Sequence, residues 1–234
     1  MNSNLSNKWP LLTKIFIISS FDFEPLRYND IKNEFNQPNV EFICPTYKDT
    51  ITNDIYNYYV KDNTRLLPWN RILYKSELSL ILNHIAVLKN IEENYTDGIF
   101  LILESDVTKL HDFSDDKFNF FLEMIEKMKN ENNYEWDLIS LSFYPKENSG
   151  NSSSSEKNSL ISKKNMNNTD SLMWSYSGVK KFLKLLEKEN GYNLPIDFII
   201  YEIINKYSEF KYYWSLNPFF LQKSIHLDGL SSIR

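Results

Sequence analysis

Two carboxylates one residue apart, Glu104 and Asp106, close the segment GIFLILESDV directly after five apolar residues at 99–103. Acids at i and i+2 of an extended chain project the same way. They offer oxygen ligands to a hard divalent cation that completes its shell from outside groups such as a diphosphate. A strand that simply ends in water with two solvated acids is the alternative, and spacing alone leaves both open. A second polar pair lies upstream, in a stretch whose apolar residues recur at 78, 81, 82, 85, 88 and 91. This is the pattern of a helix over 76–93 with one buried face. Glu77 and His84 are seven positions apart, so at about 100° per residue they share a stripe with Ile81 and Leu88. Both are expected to be buried, where each needs a specific partner. Ties that fix the helix to neighbouring loops and contacts to a ligand fit this pair equally well.

These residues need a scaffold, and the rest of the chain supplies one. KIFIISS (14–20) and VEFIC (40–44) read as strands, separated by a helical spacing of Leu26, Ile31 and Phe35. Residues 48–71 are rich in Asn, Tyr and Asp and are expected to form loop with a short irregular helix. Strand 99–103, helix 117–129 with Phe118, Phe121, Ile125 and Met128 on one side, and strand 137–143 follow. Ser177 is the expected cap of a helix carrying Val179, Phe182, Leu183 and Leu186 inward and ending at Gly191. A further helix, PIDFIIYEIINKYS, and one strand, FKYYWSLNPFFLQKS, complete the reading. Alternating strands and helices predict an α/β fold, a mixed central sheet flanked by helices. Ligands of such sheets gather at the carboxyl ends of strands, where Glu104 and Asp106 would stand. Residues 145–169 are almost all Ser, Asn and Lys and are expected to be a flexible surface loop, either a lid or an inert insertion.

Composition narrows the function classes. The 234 residues are expected to form one domain, 1–234, and 42% hydrophobic residues are ample for a core. A net charge of −5, without any long basic run, argues against a nucleic-acid partner. Cys44 is the single cysteine, so no internal disulfide can form, and within VEFIC it reads as a small buried hydrophobe. Pro10 and Lys14 interrupt the first apolar stretch, which is not preceded by a basic n-region and is too short to span a bilayer. A soluble, cytoplasmic protein with neither signal peptide nor transmembrane segment is the expectation.

The same segments carry a resemblance. SELSLILNH is similar to the G-E-I-G-C-x-L-S-H segment of family 25 glycosyltransferases, the family of lipooligosaccharide and collagen galactosyltransferases. Glu77, Leu82 and His84 are in register, while Ser76, Ser79 and Asn83 depart. LILESDV resembles that family's L-I-L-E-D-D-V metal motif, with Ser105 in place of the middle acid. SSFDFEPLR fits its I-N-L-D-R-R-P-E-R opening at Asp22, Pro25 and Arg27, with Ser20 in the Asn position. WDLISLSF, SLMWSYSGVKKFLKLL with Gly178 kept and Val179 replacing Ala, LPIDF and NPFFLQKSIHLDGLSSIR continue the likeness in the family's order.

What the resemblance implies is a GT-A type, Rossmann-like glycosyltransferase that moves galactose or glucose from a UDP-sugar to a glycan or glycoconjugate acceptor, with inversion. It implies Mn²⁺ or Mg²⁺ held by Glu104 and Asp106, with His226 completing the shell. Donor contacts fall to Ser20, Asp22, Arg27, Glu77, His84 and Ser105, and Asp197 is the implied base. Ser105 and the degenerate opening motif also keep open a glycosyltransferase-like protein that binds nucleotide sugar or glycan without turnover. A metal-dependent phosphoesterase is a third and more remote reading.

Overall fold

The β-branched run KIFII forms strand β1 (Lys14–Ile18), and Pro25 opens helix α1 (Pro25–Glu34), which returns the chain to strand β2 (Val40–Ile43). A computed structural model describes residues 7–60, 71–132, 135–142, 160–162, 168–189 and 191–223. After β2 come α2 (Asn53–Tyr59), α3 (Lys75–Asn94), β3 (Ile99–Glu104), β4 (Val107–Lys109), α4 (Asp115–Asn132), β5 (Leu138–Ser140) and β6 (Leu160–Ser162). The described chain closes with β7 (Ser171–Ser175), α5 (Tyr176–Leu186), α6 (Ile196–Lys206), β8 (Tyr212–Ser215) and β9 (Phe220–Gln222).

Among the described residues, seven strands form one mixed sheet in the order β2-β1-β3-β7-β5-β8-β6, and β4 pairs with β9 separately. β1 runs parallel to β2 and β3, whereas β7 lies antiparallel between β3 and β5. Successive side chains of a strand point to opposite faces, and both faces are covered. Phe16, Phe100, Ile102, Leu172 and Trp174 pack with residues of α3, α5 and α6. Ile15, Ile17, Leu101, Leu103 and Met173 pack on the other side with residues of α1 and α4. Such double burial explains why β1 and β3 read as unbroken apolar runs instead of alternating ones.

The expected α/β class with a mixed, helix-flanked sheet is what forms, and the differences are local. β7 is absent from the sequence reading because its apolar run is only Leu172 to Trp174, bracketed by serines; only pairing with β3 and β5 makes it central. The helix cap is Ser175, whose hydroxyl accepts the Gly178 N–H at 3.0 Å, in place of Ser177. The last expected strand splits into β8 and β9, which join different sheets. Within the expected flexible loop, residues 160–162 form β6, antiparallel to β8 at the sheet edge; residues 145–159 and 163–167 lie outside the described residues. No helix among the described residues is long and apolar enough to cross a membrane.

Candidate functional site

β3 is buried along its whole length between β1 and β7, so its carboxyl end is fixed by the sheet on both sides. That end delivers Glu104, and the turn into β4 delivers Asp106. Neither acid ends in water: they are 8% and 7% exposed. Glu104 Oε1 accepts the Thr169 hydroxyl at 2.6 Å and lies 3.3 Å from His84 Nε2. Asp106 Oδ2 accepts from the Gln222 amide at 3.1 Å, and the Asp106 carbonyl accepts the Lys223 N–H at 2.8 Å. A cleft opens over the carboxyl ends of β1, β2 and β3, with Glu104, Ser105, Asp106, Arg27, Tyr47 and Gln222 among its walls.

A third carboxylate, Asp170, backs the pair and was not singled out by its sequence. It is 0% exposed at the entry to β7. Its Oδ1 accepts the hydroxyls of Ser142 and, at 3.4 Å, Ser171, while its carbonyl accepts the Glu104 N–H at 2.9 Å. Its Oδ2 has no hydrogen-bond partner among the described residues. Burial pushes the Asp170 carboxyl up to about 7; the Ser142 bond opposes this, and the charges of Glu104 and Asp106 add to it. An acid placed directly before the run SLMWS was the available signal, hidden by the Ser/Asn segment that precedes it.

A carboxyl whose folded pKa is raised binds its proton more tightly when folded. Its stabilising contribution is complete below the unfolded value near 4 and is lost as pH rises through about 7. Asp170→Asn is therefore expected to gain stability relative to the parent at pH 8 but not at pH 4, by on the order of 2–4 kcal/mol. Metal-free thermal melts at both pH values measure this, and a difference that does not change with pH rejects it.

The other residues singled out by sequence divide between the cleft and the core. Arg27 and Ser105 reach the cleft, and both meet Glu24, a residue the motifs did not flag: Arg27 Nη1 lies 3.4 Å from Glu24 Oε1, and Ser105 Oγ donates to Oε2 at 3.3 Å. Ser20 sits in the turn before α1, its carbonyl accepting the Glu24 N–H at 3.0 Å, and Asp22 is exposed there. His84, 1% exposed, reaches the site through Glu104.

Glu77 is 5% exposed and its carboxylate is engaged locally. Arg71 grips both its oxygens at 2.7 and 2.6 Å, and the Tyr74 N–H donates to it at 2.7 Å. The carboxylate thus closes the start of α3 and has little capacity left for a ligand. Glu77→Ala is expected to cost about 3 kcal/mol in urea unfolding, since it removes the buried carboxylate that holds the Arg71 guanidinium and the Tyr74 N–H. A loss below about 1 kcal/mol, the range of exposed ion pairs, would reject the core-tie reading.

Two further polar residues of α3 have a local role. Ser79 and Asn83, both buried, donate to the Thr46 carbonyl at 2.8 Å each, and Asn83 Oδ1 accepts the Thr46 N–H at 3.1 Å. They fasten the loop after β2 to α3, and with it Tyr47.

No family model matches the chain, and no curated protein matches it. What the cleft does must follow from its own chemistry. Among the described residues no group of three or more His, Cys, Asp or Glu side chains is arranged to hold a metal ion, and His226 lies outside them. Glu104 and Asp106 nevertheless fit a cation of the Mg²⁺ or Mn²⁺ kind, which binds through one or two carboxylates when phosphates and water supply the rest. Asp197, in the first turn of α6, feels this cluster too. Burial pushes its carboxyl up to about 6, with the Phe198 N–H opposing and the charge of Glu104 adding.

Proposed function

We propose that this chain is a metal-dependent glycosyltransferase of GT-A type, transferring galactose or glucose from a UDP-sugar to a glycan or glycoconjugate acceptor. The observation that carries the reading is that Glu104, at the carboxyl end of β3, and Asp106, in the turn that follows, are both buried and both line one cleft. The charges of Glu104 and Asp106 both raise the carboxyl of Asp170, and this concentration of negative charge would favour a cation beside the pair. The ordered resemblance of its motifs to family 25 glycosyltransferases supports the same reading.

A bound divalent ion would supply positive charge to the diphosphate leaving group. The chain's own residues do the rest. Arg27, at the cleft, is suited to bind phosphate oxygens, and Glu24 holds it there. His84 and Thr169 fix the Glu104 carboxylate, and Gln222 fixes that of Asp106. In the transfer, the bond between the anomeric carbon and the diphosphate oxygen breaks as the acceptor oxygen bonds to that carbon on the opposite face. The acceptor hydroxyl proton passes to a carboxylate, and Asp197 is the assigned base. Its displaced pKa brings it nearer the working pH of a general base, which accepts a proton better than an ordinary Asp does.

Release of UDP from UDP-galactose or UDP-glucose, with and without Mn²⁺, tests the proposal. Metal-dependent release supports it, and no release together with no metal-dependent binding of any UDP-sugar defeats it. A second reading, a protein that binds nucleotide sugar without turnover, draws on Ser105, whose hydroxyl engages Glu24 where the family carries an acid. Tight binding without release from any UDP-sugar would favour it.

A further inference from the structure

A second cavity, of about 300 Å³, is lined by residues of α2, the second half of α3, the end of α5 and the segment that leads to α6. None of the described residues lining it lines the cleft at Glu104 and Asp106. Lys89 and Glu92, among its walls, stand five and eight residues beyond His84, about 8 to 12 Å further along α3. It is a separate site, and the proposed transfer does not use it.

Three tyrosines meet there. Tyr59, at the end of α2, and Tyr192, after α5, lie nearly parallel, with ring centroids 5.8 Å apart and planes inclined by 14°. Tyr58 stands edge-on to Tyr59, with planes at 89°. Main chain fixes the pairing: the Tyr192 N–H donates to the Tyr59 carbonyl at 2.9 Å, and Gly191, at φ 85°, makes the turn that brings Tyr192 across. Ile85, Leu183 and Leu186, each 7% exposed, give the cavity an apolar lining. Its exposed lining is charged, with Lys89, Glu92 and Glu187. Glu189 joins them, held by the Lys206 ammonium, which donates to its Oε1 at 2.7 Å.

We infer that this cavity binds a neutral pyranose unit of a glycan. A pyranose presents C–H groups on its faces and hydroxyls around its edge. The negative face of an aromatic ring attracts the former. Hydroxyls both donate and accept, so carboxylates and an ammonium beside one apolar lining satisfy them together. Apolar and aromatic walls with a few polar groups are the usual construction of a small-ligand site, and this volume is at the small end of that class, suited to a sugar ring or two and not to a long chain. The same mixture of charges weighs against other ligands. Three carboxylates repel an anion, and the Lys89 ammonium opposes an organic cation that would otherwise suit the tyrosine faces. The site goes beyond the proposed transfer and does not rest on the acid pair. In a glycosyltransferase it would hold a sugar of the acceptor away from the reacting hydroxyl.

The test titrates galactose, glucose and N-acetylglucosamine, at millimolar concentrations and without metal, against the full chain while the NMR amide signals of Gly191 and Tyr192 are followed. At least one sugar is expected to move both signals. Tyr192→Leu, which keeps the main-chain bond to Tyr59, is expected to bind that sugar about tenfold more weakly and to melt near the parent. Tyr192→Trp is expected to retain binding, and Asp106→Asn to leave it unchanged. If none of the three sugars moves these signals, or if a folded Tyr192→Leu binds as well as the parent, the site is overturned. Tetramethylammonium binding here more tightly than every sugar overturns it too, because the cavity is then a cation cage. Mn²⁺-dependent release of UDP, measured on the same samples, reports on the acid pair separately: sugar binding without release leaves this site standing, and release without sugar binding leaves only the proposed function.

Discussion

Asp106→Asn is expected to abolish Mn²⁺-dependent release of UDP from UDP-galactose or UDP-glucose while leaving the fold intact. Asn keeps an oxygen to accept from Gln222, and the Lys223 bond goes to the Asp106 main chain, so the local framework survives. What disappears is one of the two carboxylates proposed to hold the cation. Losing a charge that anchors a catalytic cation removes several kcal/mol of transition-state stabilisation, a rate loss of about a hundredfold or more. The metal-free variant should also melt at or above the parent's temperature, because the charge of Asp106 is among those that oppose ionisation of buried Asp170. Activity and stability moving in opposite directions is the signature of a site that holds strain for function. Retained release in a well-folded variant would remove Asp106 from the mechanism.

Gly178→Ala is expected to be the most damaging single methyl addition in the fold. A β-carbon at 178 would stand 2.6 Å from both the carbonyl carbon and the Cα of Asp137, and closer still to its carbonyl oxygen. The obstacle is main chain, which no rotamer change relieves. Asp137 has little freedom to retreat: its carboxylate takes the Lys181 ammonium and the Lys211 N–H at 2.7 Å each, and its carbonyl accepts the Ser175 N–H at 3.2 Å. Overpacking a rigid contact costs about 3 kcal/mol or more, so α5 must shift away from β5 or the fold must loosen. Thermal unfolding should show a loss well beyond the roughly 1 kcal/mol of removing a helix cap such as Ser175. A near-neutral Gly178→Ala would show that the close approach of α5 to Asp137 is not needed.

Gly178 illustrates how legibility varied. The resemblance picked it out as a kept residue, but its reason, a backbone 137 passing against the first turn of α5, belongs to the assembled fold. Asp170 is the opposite case. It stands at the entry to a strand whose apolar core is three residues long, beside a Ser/Asn segment that reads as loop, so no local pattern exposed it. The Glu77 and His84 stripe was legible as buried. Its division of labour was not, since one carboxylate turns to Arg71 and one imidazole turns to Glu104.

The sequence by itself determined a helix over 76–93, found as Lys75–Asn94, with its buried Glu77 and His84, a strand over 99–103, found as Ile99–Glu104, that runs into two acids, and the α/β class. Those features are set by periodicity and by short apolar runs, which act between residues a few positions apart. Tertiary structure alone decided that β7 enters antiparallel between β3 and β5, bringing Asp170 behind Glu104. It also brought Gln222 to Asp106 across 116 positions and Phe23 onto Tyr47. Such pairings depend on which surfaces meet once the chain closes its long loops. A hydrophobic pattern states that a face must be covered but does not name the residue that will cover it.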